Sequence, residues 1–480
     1  MKRIYFIFVP CFLLLADRVF SQRVGIGTSN PQNKLHVAGG LRLDTLVGVG
    51  GNGLVTHNAV GAVYGLKFTG NINDALRGNG TFGSPSNVWM LNGNAGTDIA
   101  TNFLGTTDAK PLLFRVNNEP AGILGNANNN LGFGRSALND LTSGIRNTAI
   151  GDYALYSNTA GEENTANGFV ALYLNSTGNR NTAYGFGALQ SNTAGDENTA
   201  NGAYALYTNT TGNWNTANGY RALFSNTTGY QNTANGYQVL YSNTSGQQNT
   251  ANGYQALYSN TTGYQNTANG YRALYSNNTG VYNTAIGYYA GGNFNNAYEN
   301  VFVGAYSDVN GANYENVIAI GYSAICTSPY QATIGNITTT TYRIYGNWSN
   351  ISDGNYKKDI REDVPGLAFI KKLRPVTYNL DATRLDNFLH KNISKEDQTN
   401  DEAKEIMNKT LKEKEHIRYT GFVAQEVERS AIELGFDFSG IDAPKNKDDI
   451  YGLRYAEFVV PLVKAVQEQQ LIIEKLQKQV

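Results

Sequence analysis

Charged residues are scarce in this 480-residue sequence, where they make up 16% of the chain against about 25% in a typical soluble protein. Proline is rare too, with none between Pro120 and Pro329, and no lysine lies between Lys110 and Lys357. Disorder is excluded as the explanation, because disordered chains are poor in aromatic residues and carry a high net charge. Here aromatic residues reach 11%, and 37 basic residues face 38 acidic ones. The balance also gives no basic bias toward nucleic acid or anionic membranes.

Cysteine is almost absent, since the chain has only Cys11 and Cys326. Cys11 lies in an opening segment with two basic residues, an apolar run over residues 4–16 and a short polar end. This pattern predicts a secretory signal peptide over residues 1–21, and therefore a protein that is secreted or displayed at the cell surface. The mature chain would keep one thiol and no intrachain disulfide. No later stretch reaches the ~18 apolar residues of a membrane span, so no transmembrane segment is predicted in the mature chain.

Glycine and tyrosine, in contrast, are abundant, with 53 and 32 residues, and many of them follow an internal repeat. One unit reads NTANGYQALYSNTTGYQ over residues 249–265. A helical repeat is excluded, because the unit is too short for a helix-turn-helix and consists largely of poor helix formers. The repeat predicts a parallel β-roll, or solenoid, of 17-residue coils over residues 126–347. Twelve glycines spaced 17 residues apart define it: Gly134, Gly151, Gly168, Gly185, Gly202, Gly219, Gly236, Gly253, Gly270, Gly287, Gly304 and Gly321.

Each coil is expected to contribute short strands around Thr-Ala-X-Gly and Ala-Leu-Tyr, with turns at Asn-Thr-X-Gly. Coils that pair strand on strand at ~4.8 Å would build a stack of roughly 50 Å from Gly134 to Gly321. Ala and Leu then fill a narrow interior, Gly takes the corners with positive φ, and Asn residues in register hydrogen-bond along the stack. The missing lysines suggest that much of each coil faces another chain or a ligand.

The segments on either side of the roll differ from it in composition. Residues 22–125 alternate short apolar runs with turns and predict a β-rich stalk. From residue 352 onward Lys, Glu and Asp return and helical periodicity begins, which predicts an α+β domain over residues 352–480. Within it, residues 384–417 are rich in Lys and Glu and are interpreted as a solvated helical insertion.

The last helix has the a/d spacing of a coiled coil over residues 457–480, which predicts oligomerisation. The alternative is an amphipathic helix that packs on its own domain. The residues at alternating three- and four-residue steps are Val459, Leu462, Val466, Gln469, Ile473, Leu476 and Val480.

The repeat units resemble the head repeats of trimeric autotransporter adhesins (the YadA-like type), in which NTAIG-like units stack into a β-roll. The best matches are the two NTAIG segments at residues 147–151 and 283–287. The 17-residue period is longer than the usual adhesin unit. The resemblance implies three rolls that pack side by side.

Four ordered motifs in the C-terminal domain resemble the intramolecular chaperone domain of endosialidase-type phage tailspikes, peptidase family S74. They are SDGNYKKDI at 352–360, LRPVTY at 373–378, YTGFVAQEV at 419–427 and VPLVKAVQEQQ at 460–470. The resemblance implies a domain that trimerises, guides the folding of the preceding fibre and then cuts itself off between Ile351 and Ser352. In that reaction Ser352 would be the nucleophile and Lys357 the general base.

A serine–lysine dyad works without histidine, but only if the lysine is desolvated enough to lower its pKa from about 10.4 toward 7 to 8. Residues five apart on a regular helix point about 140° apart, so a turn, a helix start or a neighbouring chain must bring Ser352 and Lys357 together. Lys358 is a competing base. By itself, Ser-Asp-Gly is also typical of a turn or a helix N-cap.

Four tyrosines follow their glycines at the spacing of one coil, namely Tyr220, Tyr237, Tyr254 and Tyr271. They predict a ladder on one face, which would either stack on sugar rings or another surface, or lie buried between protomers. The four histidines are scattered, and no metal or cofactor site is predicted.

Together these patterns predict an exported homotrimeric fibre with a role in adhesion or surface attachment. Single-turnover self-cleavage is the one enzymatic activity expected. One alternative is a prophage tail-fibre protein, against which the signal sequence argues. Another is a glycan-degrading spike, for which the roll lacks paired carboxylates at matching positions.

Overall fold

The computed structural model describes residues 110–125, 128–311, 313–343, 345–346, 349–392 and 404–479, together with residues 106 and 108 and the backbone of 401–403. The chain divides into two units, Met1–Gly105 and Thr106–Val480. In the first unit the structure describes the backbone of six short strands, paired β1 with β2 in parallel and β3 with β4 and β5 with β6 antiparallel. The predicted signal peptide and most of the predicted stalk lie outside the described residues. The six strands are β1 (Val24–Ile26), β2 (Leu35–Val37), β3 (Val55–His57), β4 (Val63–Gly65), β5 (Ala75–Leu76) and β6 (Phe82–Gly83).

A 15-stranded sheet runs through the second unit. It begins with an antiparallel hairpin of β7 (Leu112–Val116) and β8 (Glu119–Leu124), and β8 pairs antiparallel with β9 (Leu131–Phe133). From β9 onward every strand pairs in parallel with the strand of the next coil, so that Thr199, for example, lies opposite Thr216. The predicted parallel β-solenoid of 17-residue coils is therefore confirmed.

The coil strands are β10 (Thr148–Ile150), β11 (Thr165–Asn167), β12 (Thr182–Tyr184), β13 (Thr199–Asn201), β14 (Thr216–Asn218), β15 (Thr233–Asn235), β16 (Thr250–Asn252), β17 (Thr267–Asn269), β18 (Thr284–Ile286), β19 (Val301–Val303), β21 (Ile318–Ile320) and β23 (Ala332–Ile334). Near the end of the stack, β20 (Asp308–Val309) and β22 (Ile325–Cys326) form a separate parallel pair.

The interior of most coils is filled by two alanines and a leucine, as the repeat predicts, whereas Val239 replaces an alanine in one coil and Phe294 and Phe302 fill the later ones. In one coil Ala200, Ala205 and Leu206 are completely buried. The second strand expected around Ala-Leu-Tyr does not form, because these residues make a turn in which Leu206 has a φ of 50°. A left-handed conformation is costly for a leucine. Here it is offset by burial of the side chain and by a coil-to-coil hydrogen bond, 2.9 Å long, from the backbone N–H of Leu206 to the carbonyl of Ala222.

Glycine is required at two corners of the coil for different reasons. Gly202 has a φ of 137°, and a Cβ added there would lie 2.6 Å from the carbonyl oxygen of Gly219 in the next coil. Gly212 does not have a positive φ, but its Cβ would lie 2.4 Å from the carbonyl oxygen of Gly229. Since neighbouring backbones cannot move apart without breaking the ladder, both positions exclude a side chain.

Two ladders of buried asparagines run through the solenoid. In the first, Asn215 Nδ2 donates to Asn198 Oδ1 (3.1 Å) and to the carbonyl of Gly229 (2.8 Å). In the second, Asn226 Nδ2 donates to Asn209 Oδ1 (2.7 Å) and again to the carbonyl of Gly229 (2.9 Å). The predicted stacking of asparagines is therefore confirmed, and it satisfies buried polar groups that the turns would otherwise leave unpaired.

The C-terminal region is α+β and ends in a long helix, as predicted. Its elements are α1 (Leu367–Ile370), β24 (Val376–Asn379), α2 (Ala382–Leu389), α3 (Asp401–Glu415), β25 (Arg418–Gly421), α4 (Ala424–Glu433), β26 (Ile441–Asp442), β27 (Gly452–Leu453) and α5 (Val459–Gln477), with 3-10 turns at Gly354–Tyr356 and Tyr455–Phe458. The strands form two antiparallel pairs, β24 with β25 and β26 with β27. The core consists of buried side chains from α1, α4, the turns and the loops, namely Phe369, Val427, Ala431, Phe438 and Phe458.

The insertion over residues 384–417 is helical, as expected, but the expectation that it is solvated is only partly correct. Leu411 of α3 is 2% exposed and clusters with Ala382 of α2 and with Ile337 just after the last coil. A surface rich in Lys and Glu therefore hides an apolar contact, because α2 and α3 pack against each other and against the end of the solenoid.

Candidate functional site

The side chains of Ser352 and Lys357 meet across a single 3-10 turn. Lys357 Nζ donates to Ser352 Oγ at 2.7 Å. The turn starts at Asp353, whose carboxylate accepts from the backbone N–H of Asn355 at 2.9 Å, and it ends where the Lys357 N–H bonds to the carbonyl of Gly354 at 3.2 Å. The five-residue spacing that a straight helix cannot bridge is closed by this capped turn.

The segment around the dyad is exposed to solvent in the single chain. Every described residue from 349 to 363 is exposed, and Ile351, on the amino side of the predicted cleavage site, is 94% exposed. Exposure makes the bond accessible, but a lysine acts as a base at neutral pH only in a desolvated setting. Any such burial would have to come from atoms outside this single chain.

Helix α5 presents two different faces. Pro461 and Ala465 are buried, and Glu468 Oε2 accepts a hydrogen bond from the backbone N–H of Leu367 in α1 at 2.7 Å, so one face packs on its own domain. The other face is apolar and exposed. It forms a groove of about 300 Å³ lined by Val459, Leu462, Val463, Val466 and Gln467. The alternative interpretation, a helix that packs on its own domain, therefore holds for one face, and the predicted a/d residues Val459, Leu462 and Val466 lie exposed on the other.

The four tyrosines chosen from the repeat form a continuous stacked column. The ring centroids of Tyr220 and Tyr237 are 5.4 Å apart, those of Tyr237 and Tyr254 5.0 Å, and those of Tyr254 and Tyr271 5.2 Å. Tyr220, Tyr237 and Tyr254 keep 38%, 41% and 40% of their surface exposed. We call these four residues the outer column.

A second column, which sequence reasoning missed, runs beside the outer column, four residues further along each coil. Neighbouring ring centroids in this inner column are 5.1 to 5.3 Å apart. Its signal was present in the sequence, since it repeats with the same 17-residue period. The inner column consists of Tyr207, Phe224, Tyr241, Tyr258 and Tyr275.

Polar side chains lie between the two columns. Arg272 Nε donates to Gln255 Oε1 at 2.9 Å, and Gln255 Nε2 donates to Gln238 Oε1 at 2.9 Å. The guanidinium of Arg272 lies 4.8 Å from the ring centroid of Tyr275, a cation–π contact. The face therefore combines flat aromatic rings with amide and guanidinium groups at a regular spacing.

Cys326 is buried, and its burial raises the pKa of the thiol to about 11. It is therefore protonated at neutral pH and unsuited to act as a nucleophile. Within the described part of the chain, no cluster of three or more His, Cys, Asp or Glu side chains is arranged to hold a metal ion. Among the same residues, no helix combines the length and apolar composition needed to cross a bilayer.

Residues 352–436 match the family model of Peptidase S74, described as chaperone of endosialidase. The match begins at the serine of the dyad and extends just beyond α4. No curated protein matches the chain. A chaperone domain of this type behind a parallel β-solenoid fits a fibre of the endosialidase and tailspike type. The link between the solenoid and adhesin heads remains a resemblance of sequence motifs.

Proposed function

We propose that this protein is an exported homotrimeric fibre, used for adhesion or surface attachment, whose C-terminal domain acts as a trimerisation chaperone and then cuts itself off. The observation that carries the proposal is the order of three parts along the chain. A solenoid of 17-residue coils is followed by an exposed serine–lysine pair, and a domain that matches the endosialidase chaperone begins at that serine. The expected location, outside the cell, follows from the same match and from the predicted signal peptide over residues 1–21.

The exposed apolar face of α5 supports the trimer. Val459, Leu462 and Val466 are 56%, 46% and 62% exposed, and they belong to the predicted a/d series. Apolar side chains at this spacing are stabilised when they pack into the equivalent series of other helices. Two further copies of α5 would cover the groove that a single chain leaves open.

Trimerisation is tested by the mass of the protein in solution, measured by light scattering. The wild-type protein is expected at three times its monomer mass, and Val466→Lys is expected to shift it toward monomer. The matched control is Leu471→Lys, because Leu471 is also exposed but lies outside the a/d series. A monomeric wild-type protein would overturn the proposal.

Self-cleavage is proposed to start at the hydroxyl of Ser352. Its Oγ adds to the carbonyl carbon of Ile351 while the neutral amine of Lys357 accepts the hydroxyl proton. The C–N bond of the peptide then breaks as the serine nitrogen takes up a proton, leaving an ester. Water hydrolyses this ester, which restores the hydroxyl and yields a carboxylate on Ile351 and a free amine on Ser352. The burial that Lys357 needs is assigned to neighbouring chains, so that cleavage follows assembly.

Mass spectrometry of the purified product tests this reaction. A fragment that ends at Ile351 and another that begins at Ser352 are expected. Ser352→Ala is expected to leave the bond intact, whereas the control Ser349→Ala, three residues before it in the same exposed segment, is expected to be cleaved normally. A wild-type chain that stays intact after trimerisation would contradict self-cleavage but not the folding role.

The outer column is proposed as the ligand-binding surface of the fibre, with carbohydrate as the ligand class. Stacked tyrosine rings offer flat faces to sugar rings, and the Gln and Arg side chains between the columns offer hydrogen-bond donors.

A glycan array tests this proposal. It is probed with the wild type and with a variant in which all four outer-column tyrosines are replaced by Ser. Lost binding by an intact trimer supports it, and loss of the trimer shows that the column is packed between protomers. Tyr230→Ser and Tyr282→Ser, at exposed tyrosines outside the columns, are the controls.

A further inference from the structure

Charge is almost absent from the middle of the solenoid. Over residues 198–298, about six coils, the sequence contains no Asp, Glu, Lys or His, and the only residues charged at neutral pH are Arg221 and Arg272. Both occupy the same position of the coil, three coils apart, which places them about 14 Å from each other along the stack. The face that carries them is therefore positive, and no acidic side chain of the same coils balances it.

The two arginines belong to a row of side chains between the outer and inner columns. We call it the middle row, and it consists of Arg221, Gln238, Gln255 and Arg272, at intervals of 17 residues. Arg272 Nε donates to Gln255 Oε1, and Gln255 Nε2 donates to Gln238 Oε1. Because arginine has only donors, the first bond fixes the orientation of both amides and leaves the Nε2 donor of Gln238 at the end of the series. The next residue of the row is Arg221, which again has only donors.

The side chain of Arg221 has no hydrogen-bond acceptor among the described residues, and its Nε atom is buried without a partner. Aromatic rings hold the guanidinium instead. Its central carbon lies 5.7, 5.2 and 5.4 Å from the ring centroids of Tyr204, Tyr220 and Phe224, three cation–π contacts. The rings position the charge, but they leave its N–H donors unsatisfied, which is costly for a charged group.

Arg221 lies where the outer column begins. The position equivalent to Tyr220 in the preceding coil is Ala203, so the regular stack of rings stops there. Tyr204 lies beside this gap, with its ring edge-on to Phe186 (5.1 Å, 67°) and to Tyr220 (6.2 Å, 83°). Arg221 itself is half-buried, so part of its side chain is accessible to a ligand that lies along the outer column.

We propose that this face binds an acidic polysaccharide along the outer column, and that Arg221 binds one of its carboxylate or sulfate groups. An oxyanion supplies the acceptor that Arg221 and Gln238 Nε2 lack among the described residues, and a guanidinium can bind it through two parallel N–H donors. A negative ligand also complements a face whose only charges are the two arginines. The inference rests on the proposed carbohydrate binding by the outer column and specifies the class of glycan.

Two matched pairs of polymers test the charge of the ligand. Polygalacturonate is compared with its methyl ester, and dextran sulfate with dextran. Binding to the purified wild-type protein is measured by isothermal titration calorimetry at physiological ionic strength, where weak attraction between exposed charges is screened. At least one acidic polymer is expected to bind about 10-fold or more tightly than its neutral counterpart. The pair that shows this difference identifies the bound group as carboxylate or sulfate.

The variant Arg221→Gln tests the residue. Glutamine is the residue that the next two coils have at this position, so the solenoid is expected to fold unchanged, which circular dichroism verifies. Binding of the acidic polymer is expected to weaken about 10- to 100-fold. The matched control is Arg180→Gln, which removes the same charge from an arginine that donates to Glu163 and Glu197 at 3.2 Å each. This control is expected to bind like the wild type.

Equal affinities for the acidic and the neutral member of both pairs would overturn the inference and leave the proposed carbohydrate binding intact. Binding of none of the four polymers would contradict both. An equal loss of affinity in Arg221→Gln and Arg180→Gln would show attraction by net charge alone and would overturn the role of Arg221. Light scattering gives the mass of Arg221→Gln. A shift toward monomer would show that a neighbouring protomer supplies the acceptor, which would also overturn the inference.

Discussion

Asn215 Nδ2 donates to Asn198 Oδ1 one coil earlier, and Asn215 Oδ1 in turn accepts from the backbone N–H of Asn232 one coil later. Each asparagine of this ladder is therefore bonded on both sides along the stack. The arrangement links the repeat period directly to stability, because a residue that leaves the ladder affects three successive coils.

Asn215→Ala is expected to destabilise the solenoid by about 3 to 5 kcal/mol, since it leaves the Gly229 carbonyl, Asn198 Oδ1 and the Asn232 N–H with fewer partners in a dry interior. The measurement is denaturant unfolding followed by circular dichroism. Asn201→Ala, at an exposed strand position, is the control and is expected to change the free energy of unfolding by less than about 0.5 kcal/mol. Similar losses for the two variants would contradict the role of the ladder.

Gly202→Ala is expected to cost about 3 kcal/mol or more, because the left-handed backbone and the nearby carbonyl of Gly219 both oppose a Cβ. The melting temperature of the purified protein reports the effect. The neighbouring change Ala203→Gly keeps the backbone hydrogen bond from Arg221 in the next coil and serves as a comparison, with an expected loss of about 1 kcal/mol or less. An unchanged melting temperature for Gly202→Ala would mean that adjacent coils move apart more easily than the hydrogen-bonded ladder suggests.

Lys357→Met is expected to slow self-cleavage by about 100-fold or more, the usual contribution of a general base. The reason is that Lys357, rather than the competing Lys358, donates to Ser352 Oγ. Cleavage is followed on denaturing gels over time after assembly. Lys358→Met is the matched control and is expected to cleave at the wild-type rate; the opposite ranking of the two variants would assign the base to Lys358.

The free energy of unfolding of the chain is expected to decrease as the pH rises from 5 to 8. Burial lowers the pKa of His390, but the hydrogen bond and negative charge of Asp386, with the charge of Asp308, outweigh it and raise the pKa above the usual 6.5. Burial also raises the pKa of Asp308 to about 7. Groups with a raised pKa bind more protons in the folded than in the unfolded chain, so the free energy of unfolding falls as the pH rises from the ordinary to the raised value.

Other groups at the contact between the last coils and the C-terminal domain also have shifted pKa values, among them Tyr314, whose burial raises its pKa. Hydrogen bonds hold the pKa of Asp449 below its usual range despite its burial, and burial raises the pKa of Tyr322 and lowers that of Lys414 from its high ordinary value. Denaturant unfolding at pH 5, 6, 7 and 8, followed by circular dichroism, is expected to show a progressive loss of stability over this range. His390→Gln is expected to flatten the upper part of this profile, and an unchanged profile would exclude His390 as its source.

Much of the solenoid could be predicted from the sequence, because a fixed period of 17 residues forces equivalent residues into register. Burial of Ala205 and Leu206, the stacking of Asn215 on Asn198 and the outer column all follow from that register. The turn at Ala-Leu-Tyr could not be predicted in this way, because a short apolar segment has no periodicity that distinguishes a strand from a corner with left-handed backbone.

At the candidate site, too, local features could be predicted from the sequence and long-range contacts could not. The pairing of Ser352 with Lys357 was expected from the motif, and the turn that closes it is encoded locally by Asp353 and Gly354. The sequence alone determined the coil repeat, the change of composition after residue 348 and the serine–lysine spacing, since these depend on residues that are close or periodic. Only the tertiary structure decided that Thr327 meets Asp449 and that His390 meets Ser323. Such contacts join single residues far apart in the chain, and their positions depend on how the last coil, α2 and the β26–β27 loop pack in three dimensions.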